Sequence, residues 1–157
     1  MHQYSQKRVF APESTFKLLL GREYGRHPYL LDGELLSDVE KDICQAILWN
    51  KATKSQYEYS IANLSEYLHR HHKERTVILI DEYDTPIYSA WSGGYYNDLI
   101  SFIRNLLSNA LKDNAYLEKS VLTGILRIAK ESIFSGLNNL NTASLLNEQY
   151  SDKFANL

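Results

Sequence analysis

The chain has 157 residues, 44% hydrophobic and 23% charged, with 17 Lys and Arg against 19 Asp and Glu for a formal charge of −2. That is the profile of one globular domain with a real core, and it excludes a disordered chain or one drawn to nucleic acid or an anionic membrane by overall charge. The one cysteine, Cys44, has no intrachain partner, MHQYSQKRVF lacks a signal peptide's apolar core, and no apolar run approaches the roughly 20 residues of a membrane span, so an intracellular, cytoplasmic protein is expected.

Glu13 to Tyr24 reads as a helix, with Phe16, Leu19 and Leu20 at helical spacing after a Ser14 or Thr15 cap. HPYLLDG breaks it. A second helix runs from Leu35 or Ser37 to Trp49, with Val39, Ile43, Ala46 and Ile47 on one side, and NKATKS forms the next loop. A third, Gln56 to His71, carries Tyr57, Ile61, Leu64 and Leu68 at the spacing of a buried stripe, with Glu58 and Glu66 directed elsewhere. Thr76 to Ile80 is β-rich and apolar throughout, which suits a strand covered on both faces.

After the loop DTPIYSAWSGGYY, Asp98 to Lys112 is helical, with Leu99, Ile103, Leu106 and Ala110 on one stripe widened by Phe102 and Leu107. A second apolar strand, Ser120 to Ile125, completes a strand, helix, strand run long enough for a right-handed parallel crossover. A loop and a short helix near Ala143 to Tyr150 end the chain. The expectation is a single α/β domain, helical over 1–73 and strand-bearing over 74–157.

In an open parallel sheet the C-terminal strand ends face the ligand crevice, and Asp81 and Glu82 fall at such an end. On an extended strand they point to opposite sides and suit two separate tasks. One carboxylate holds Mg²⁺ through its water while the other orients or deprotonates the water that attacks a phosphoryl group, the Walker B arrangement of P-loop ATPases. The plain alternative is a turn capped by Asp81, with Glu82 and Asp84 solvated and Thr85-Pro86 starting a helix. Thr123, in VLTGIL, sits where a neighbouring strand meets the same crevice, to sense a phosphate or place the water, while Gly124 marks a bend. Arg127 either reaches a phosphate or pairs with Glu131 at helical spacing.

VILIDEYDTPIY, LKDN, LTGILRIAKESIFSGLNNL and a later Y…F pair together resemble the AAA-ATPase-like domain, a family whose members commonly continue into a domain similar to restriction-endonuclease-fold nucleases. The likeness spans roughly residues 56 to 154. It implies a partial P-loop NTPase-like parallel sheet with flanking helices, and ATP and Mg²⁺ as cofactors. It matches Asp81 to the metal-holding Walker B carboxylate, Glu82 to the catalytic carboxylate and Thr123 to the sensor.

None of the seven glycines is followed by lysine, so the sequence has no Gly-Lys-Ser or Gly-Lys-Thr phosphate loop. Gly21 and Gly25, in GREYGRHP, belong to a helix pattern with no strand before it. The resemblance therefore implies a truncated member whose phosphate loop lies upstream of residue 1, inactive or partner-dependent alone. Such an incomplete sheet exposes an edge or apolar face, so a protein partner or self-association is expected.

Three other constellations compete. Asp81, Glu82 and Asp84 would serve a metal-dependent nuclease if they converged. Glu66 and His69, beside His71 and His72, have the Glu-x-x-His spacing of bundle metal sites, although basic residues at a helix C-terminus explain the HRHH run equally simply. Of the twelve tyrosines, Tyr24, Tyr57 and Tyr67 lie in amphipathic helices and are expected to pack with hydroxyls at the rim rather than to stack on nucleic-acid bases. A non-catalytic interaction module is the remaining alternative.

Overall fold

A computed structural model describes residues 12–87, 94 and 96–124, with side chains from Ser14 onward. Among these residues the order is α1 (Pro12–Tyr24), a 3-10 turn (Pro28–Leu30), α2 (Asp38–Leu48), α3 (Lys54–His72), β1 (Thr76–Ile80), α4 (Tyr96–Leu111) and β2 (Leu117–Leu122). The architecture is mixed α/β, helical in its first half, with a two-stranded parallel sheet.

Local chemistry sets the helix starts. Ser37 accepts from the Glu40 amide at 3.4 Å while the Glu40 carboxylate accepts from the Ser37 amide at 2.7 Å. Thr53 and Gln56 repeat this reciprocal cap on α3, at 3.3 and 2.8 Å. Each cap satisfies two amides that would otherwise lack partners and contributes about 1 kcal/mol. At its other end α3 stops at Lys73, whose φ of 62° is left-handed, after a last turn of His69, Arg70, His71 and His72. Those basic groups complement the negative end of the helix dipole.

The core lies where α4 meets α3. Phe102, Leu99, Ile103, Leu106 and Leu107 of α4 and Tyr57 of α3 are fully buried. Asn105 donates to the Glu58 carboxylate at 3.0 Å and Asn109 to its carbonyl at 3.1 Å. From α1, Phe16 meets Phe102 edge-on, with ring centroids 6.0 Å apart, an arrangement worth about 1 kcal/mol beyond its buried area. Burial pushes the Cys44 thiol up to about 11, with Glu40's charge adding to the effect, so the thiol is a small core hydrophobe rather than a nucleophile.

β1 and β2 pair from Thr76↔Leu117 to Ile80↔Leu122, with one register irregularity between Thr76 and Val77. α4 carries the chain from the end of β1 to the start of β2. Ile80 and Leu122 pack against the helical core.

Four expectations need correction. Thr76–Ile80 is not covered on both faces among the described residues: Val77 and Leu79 are 57% and 72% exposed, and Val121, paired with Leu79, is exposed too. The described helices cover one face, so a strand's period of two leaves alternate residues open. Val39 is 69% exposed, because Cys44 and Ile47 define the buried stripe of α2 and Val39 lies roughly a third of a turn away from it. β2 occupies Leu117–Leu122 instead of Ser120–Ile125, since Glu118 and Lys119 sit on exposed strand positions. Finally, the Tyr24 hydroxyl is not at the rim but donates to the Ser60 carbonyl at 2.7 Å inside the core. The expected helix near 143–150 lies outside the described residues.

Candidate functional site at the strand ends

β1 ends at Ile80, but the parallel ladder runs one step further. The Thr123 amide donates to the Ile80 carbonyl at 2.9 Å, and the Tyr83 amide donates to the Thr123 carbonyl at 3.1 Å. Between them sits the Thr123 hydroxyl. It accepts from the Glu82 amide at 3.0 Å and donates its single proton to Asp81 Oδ1. The three residues singled out from the sequence, Asp81, Glu82 and Thr123, are thus bonded into one unit.

Glu82 departs from the extended geometry expected of it, with φ at 49° in the left-handed region. For a residue with a Cβ this costs about 1–2 kcal/mol. The turn, rather than strand alternation, therefore decides how the two acids are presented. It leaves Asp81 and Glu82 exposed while sending Tyr83 and Asp84 inward, Asp84 to 3% exposure. Burial and the neighbouring Asp84 charge raise the Tyr83 hydroxyl above its ordinary range.

Beyond the turn, a helical segment starts at 85–87 with Pro86 in its first turn, as the Thr-Pro pair suggested. The Thr85 hydroxyl does not cap it but donates to Glu82 Oε2 at 3.3 Å, orienting that carboxylate. Neither Asp81 nor Glu82 forms an ion pair with a described residue.

The competing constellations separate. Asp84 is buried while Asp81 and Glu82 are exposed, and among the described residues no three His, Cys, Asp or Glu side chains converge in a way that would hold a metal. Glu66 faces Arg70 at 3.7 Å, and His69 bonds the Glu74 carbonyl at 3.0 Å and stacks on Tyr116 with centroids 5.2 Å apart. His27 and His72 both hydrogen-bond the Tyr29 hydroxyl, at 2.8 and 3.1 Å, joining the 3-10 turn to the end of α3. Among the described residues, two surface hollows lie away from these acids, one beside Arg75, Asn114 and Glu118 at the opposite end of the sheet and one beside Gln45 and Trp49. Trp91, Gly93, Arg127, Glu131 and SGLNNLN lie outside the described residues.

Sequence reasoning missed Tyr83. An aromatic residue inside the acidic run Asp81-Glu82-Tyr83-Asp84 was the available signal, since a large ring among exposed carboxylates needs somewhere to go.

A parallel strand, helix, strand unit with acids at the carboxyl end of the first strand and a hydroxyl beside them makes this an α/β protein, and in open parallel sheets that end is generally the one that meets ligands. The family model described as "Predicted AAA-ATPase" matches residues 30–134, and the chain belongs to this AAA-ATPase-like family. Among curated proteins it is 30% identical over 133 residues to an "Uncharacterized protein in vnfD 5'region" of Azotobacter chroococcum mcd 1. That similarity covers 76% of this chain but 26% of the relative, so the chain spans about a quarter of the relative's length. No solved structure matches the chain.

Proposed function

We propose that the strand ends form the acidic side of an ATP and Mg²⁺ site, with Asp81 as the metal-holding carboxylate, Glu82 as the catalytic base and Thr123 as the phosphate-side hydroxyl. The observation that carries this reading is the Asp81–Thr123–Glu82 unit: exposed acids on a strained turn, fixed by one hydroxyl. Membership of the AAA-ATPase-like family supports it.

The donors fit a hard cation, which takes oxygen ligands and keeps part of its water shell. When bound, Mg²⁺ supplies charge neutralisation at the phosphates. Asp81 contributes an exposed carboxylate held by Thr123. Glu82 contributes a second carboxylate, oriented by Thr85, that would accept a proton from water. The fit does not extend to the phosphates themselves, because no glycine of the 157 residues is followed by lysine. Alone, the chain is therefore expected to turn over ATP poorly.

The test is ATP hydrolysis by a polypeptide that carries this region behind a Gly-Lys-Ser or Gly-Lys-Thr loop. Glu82→Gln should retain ATP binding and lose at least about a hundredfold in turnover; full turnover in that variant would sink the assignment.

A second reading, assembly through the sheet, is favoured by the exposed apolar face of Val77, Leu79 and Val121. Light scattering separates the two: a monomer at all concentrations removes self-association. Against the nuclease alternative stands the finding that, among the described residues, no three His, Cys, Asp or Glu side chains form a group that could hold a metal ion.

A further inference from the structure

We propose that Tyr83 and Gly124 are a positioning pair for the strand-end acids: the bare Cα of Gly124 seats the Tyr83 ring, and this contact holds the turn that presents Asp81 and Glu82. The functional consequence rests on the nucleotide-site reading and deepens it.

A Cβ on Gly124 would lie 2.5 and 2.9 Å from the ring carbons Cε1 and Cδ1 of Tyr83, and 3.0 Å from Cγ of Asp84. Carbon atoms sit comfortably at about 3.5–4.0 Å. The neighbours cannot step aside cheaply, since Tyr83 and Asp84 are both buried, at 7% and 3% exposure. Nor is the glycine there for its backbone freedom, because among the described glycines Gly94 alone has a positive φ. Gly124 is required for space.

That space sits at the point where the two strand ends are joined. Thr123, the preceding residue, receives both the Glu82 and the Tyr83 amides. Residues 81–83 are thereby held to 123–124 by two backbone donors and one ring. The left-handed Glu82 is the least favourable backbone position among them. If the ring is pushed off Gly124, Tyr83 moves, its amide leaves Thr123, and Glu82 is free to relax to an ordinary φ. Asp81 then loses the hydroxyl that orients it. Tyr83 and Gly124 touch no ligand in this scheme; they act through the backbone of the acids.

The test uses the full 157-residue chain and two readouts, amide hydrogen exchange by NMR and Mn²⁺ binding by water-proton relaxation. In Gly124→Ala, the Glu82 and Tyr83 amides should exchange at least about tenfold faster while the Ile78, α3 and α4 amides stay at wild-type rates, a pattern that global destabilisation does not produce. Mn²⁺ affinity should fall at least about fivefold. A Tyr83→Ala background removes the two ring contacts and leaves only the 3.0 Å approach to Asp84, which keeps the proposal testable if Gly124→Ala alone does not fold: adding Gly124→Ala there should lower affinity by clearly less than the roughly fivefold expected with the ring present.

Wild-type Mn²⁺ binding that is lost in Asp81→Asn and intact in Gly124→Ala overturns the positioning role alone. So does an equal effect of Gly124→Ala in both backgrounds. Absence of Mn²⁺ binding in the wild type overturns the nucleotide-site reading alone; the positioning role is then decided by hydrogen exchange, and wild-type exchange of the Glu82 and Tyr83 amides in Gly124→Ala overturns it.

Discussion

Glu40 and Asp81 are both carboxylates at the end of a regular element, and their surroundings treat them in opposite ways. Glu40 accepts from Ser37 and meets Arg70 at 2.5 Å, with a quarter of its side chain exposed. Burial works against its charge, but the hydrogen bonds from Ser37 and Arg70 outweigh that and hold it below the usual carboxylate range. Asp81 is exposed, has the Thr123 hydroxyl for a partner, and adjoins a left-handed residue. The helical region uses its charge to fasten α2 to α3. At the strand end the charge is left open, which fits the ligand site proposed above.

The sharpest test of the helical side is Phe102→Ala. Phe102 is fully buried and meets Phe16 edge-on, so truncation should cost about 3–5 kcal/mol in urea unfolding. A smaller loss would mean that the core is looser than its packing indicates.

Next in size is Arg70→Ala, which leaves Glu40 partly buried without its cation and should cost about 1–3 kcal/mol at pH 7. The pH dependence has a definite sign. Because Glu40's folded value lies below the ordinary 4.5, its contribution is fully present above that pH and disappears as pH falls through the folded value. The stability gap between wild type and Arg70→Ala should therefore narrow in acid. A gap that stays constant would place the effect elsewhere, in the Tyr67 ring that Arg70 also covers, a contact that does not titrate in acid.

Smallest is Glu82→Gly. Removing the Cβ relieves the left-handed strain, and stability should stay constant or rise by up to about 1 kcal/mol. Activity in the intact site should be lost. Loss of stability would show that Glu82 belongs to the framework and not to the site.

Much of this contrast was readable from residues alone. Thr76–Ile80 has the expected limits because an apolar run is closed abruptly by Asp81, and α3 forms where its apolar spacing predicted a helix, although its buried positions are Tyr57, Ser60, Leu64, Ser65 and Tyr67, with Ile61 and Leu68 partly buried. The same uniform apolarity hid the exposure of Val77 and Leu79, since a run without polar alternation does not reveal which face is covered. β2 starts earlier than expected because Glu118 and Lys119, at exposed strand positions, interrupt the apolar pattern that marks a strand in the sequence. Asp81, Glu82 and Thr123 were each identifiable, but not that one hydroxyl joins them. The seat of Tyr83 on Gly124 was illegible for a plainer reason: it is a contact between residues about forty positions apart, set by where two strands end, and no local spacing encodes it.

The most direct measurement of the central contrast is Asp81→Asn, followed by urea unfolding and by Mn²⁺ binding on the same protein. An acid kept for a ligand predicts a stability change within about 0.5 kcal/mol and loss of Mn²⁺ binding. A fall of 2 kcal/mol or more, roughly what an essential buried polar contact costs, with Mn²⁺ binding unchanged, would contradict the account and make Asp81 part of the fold.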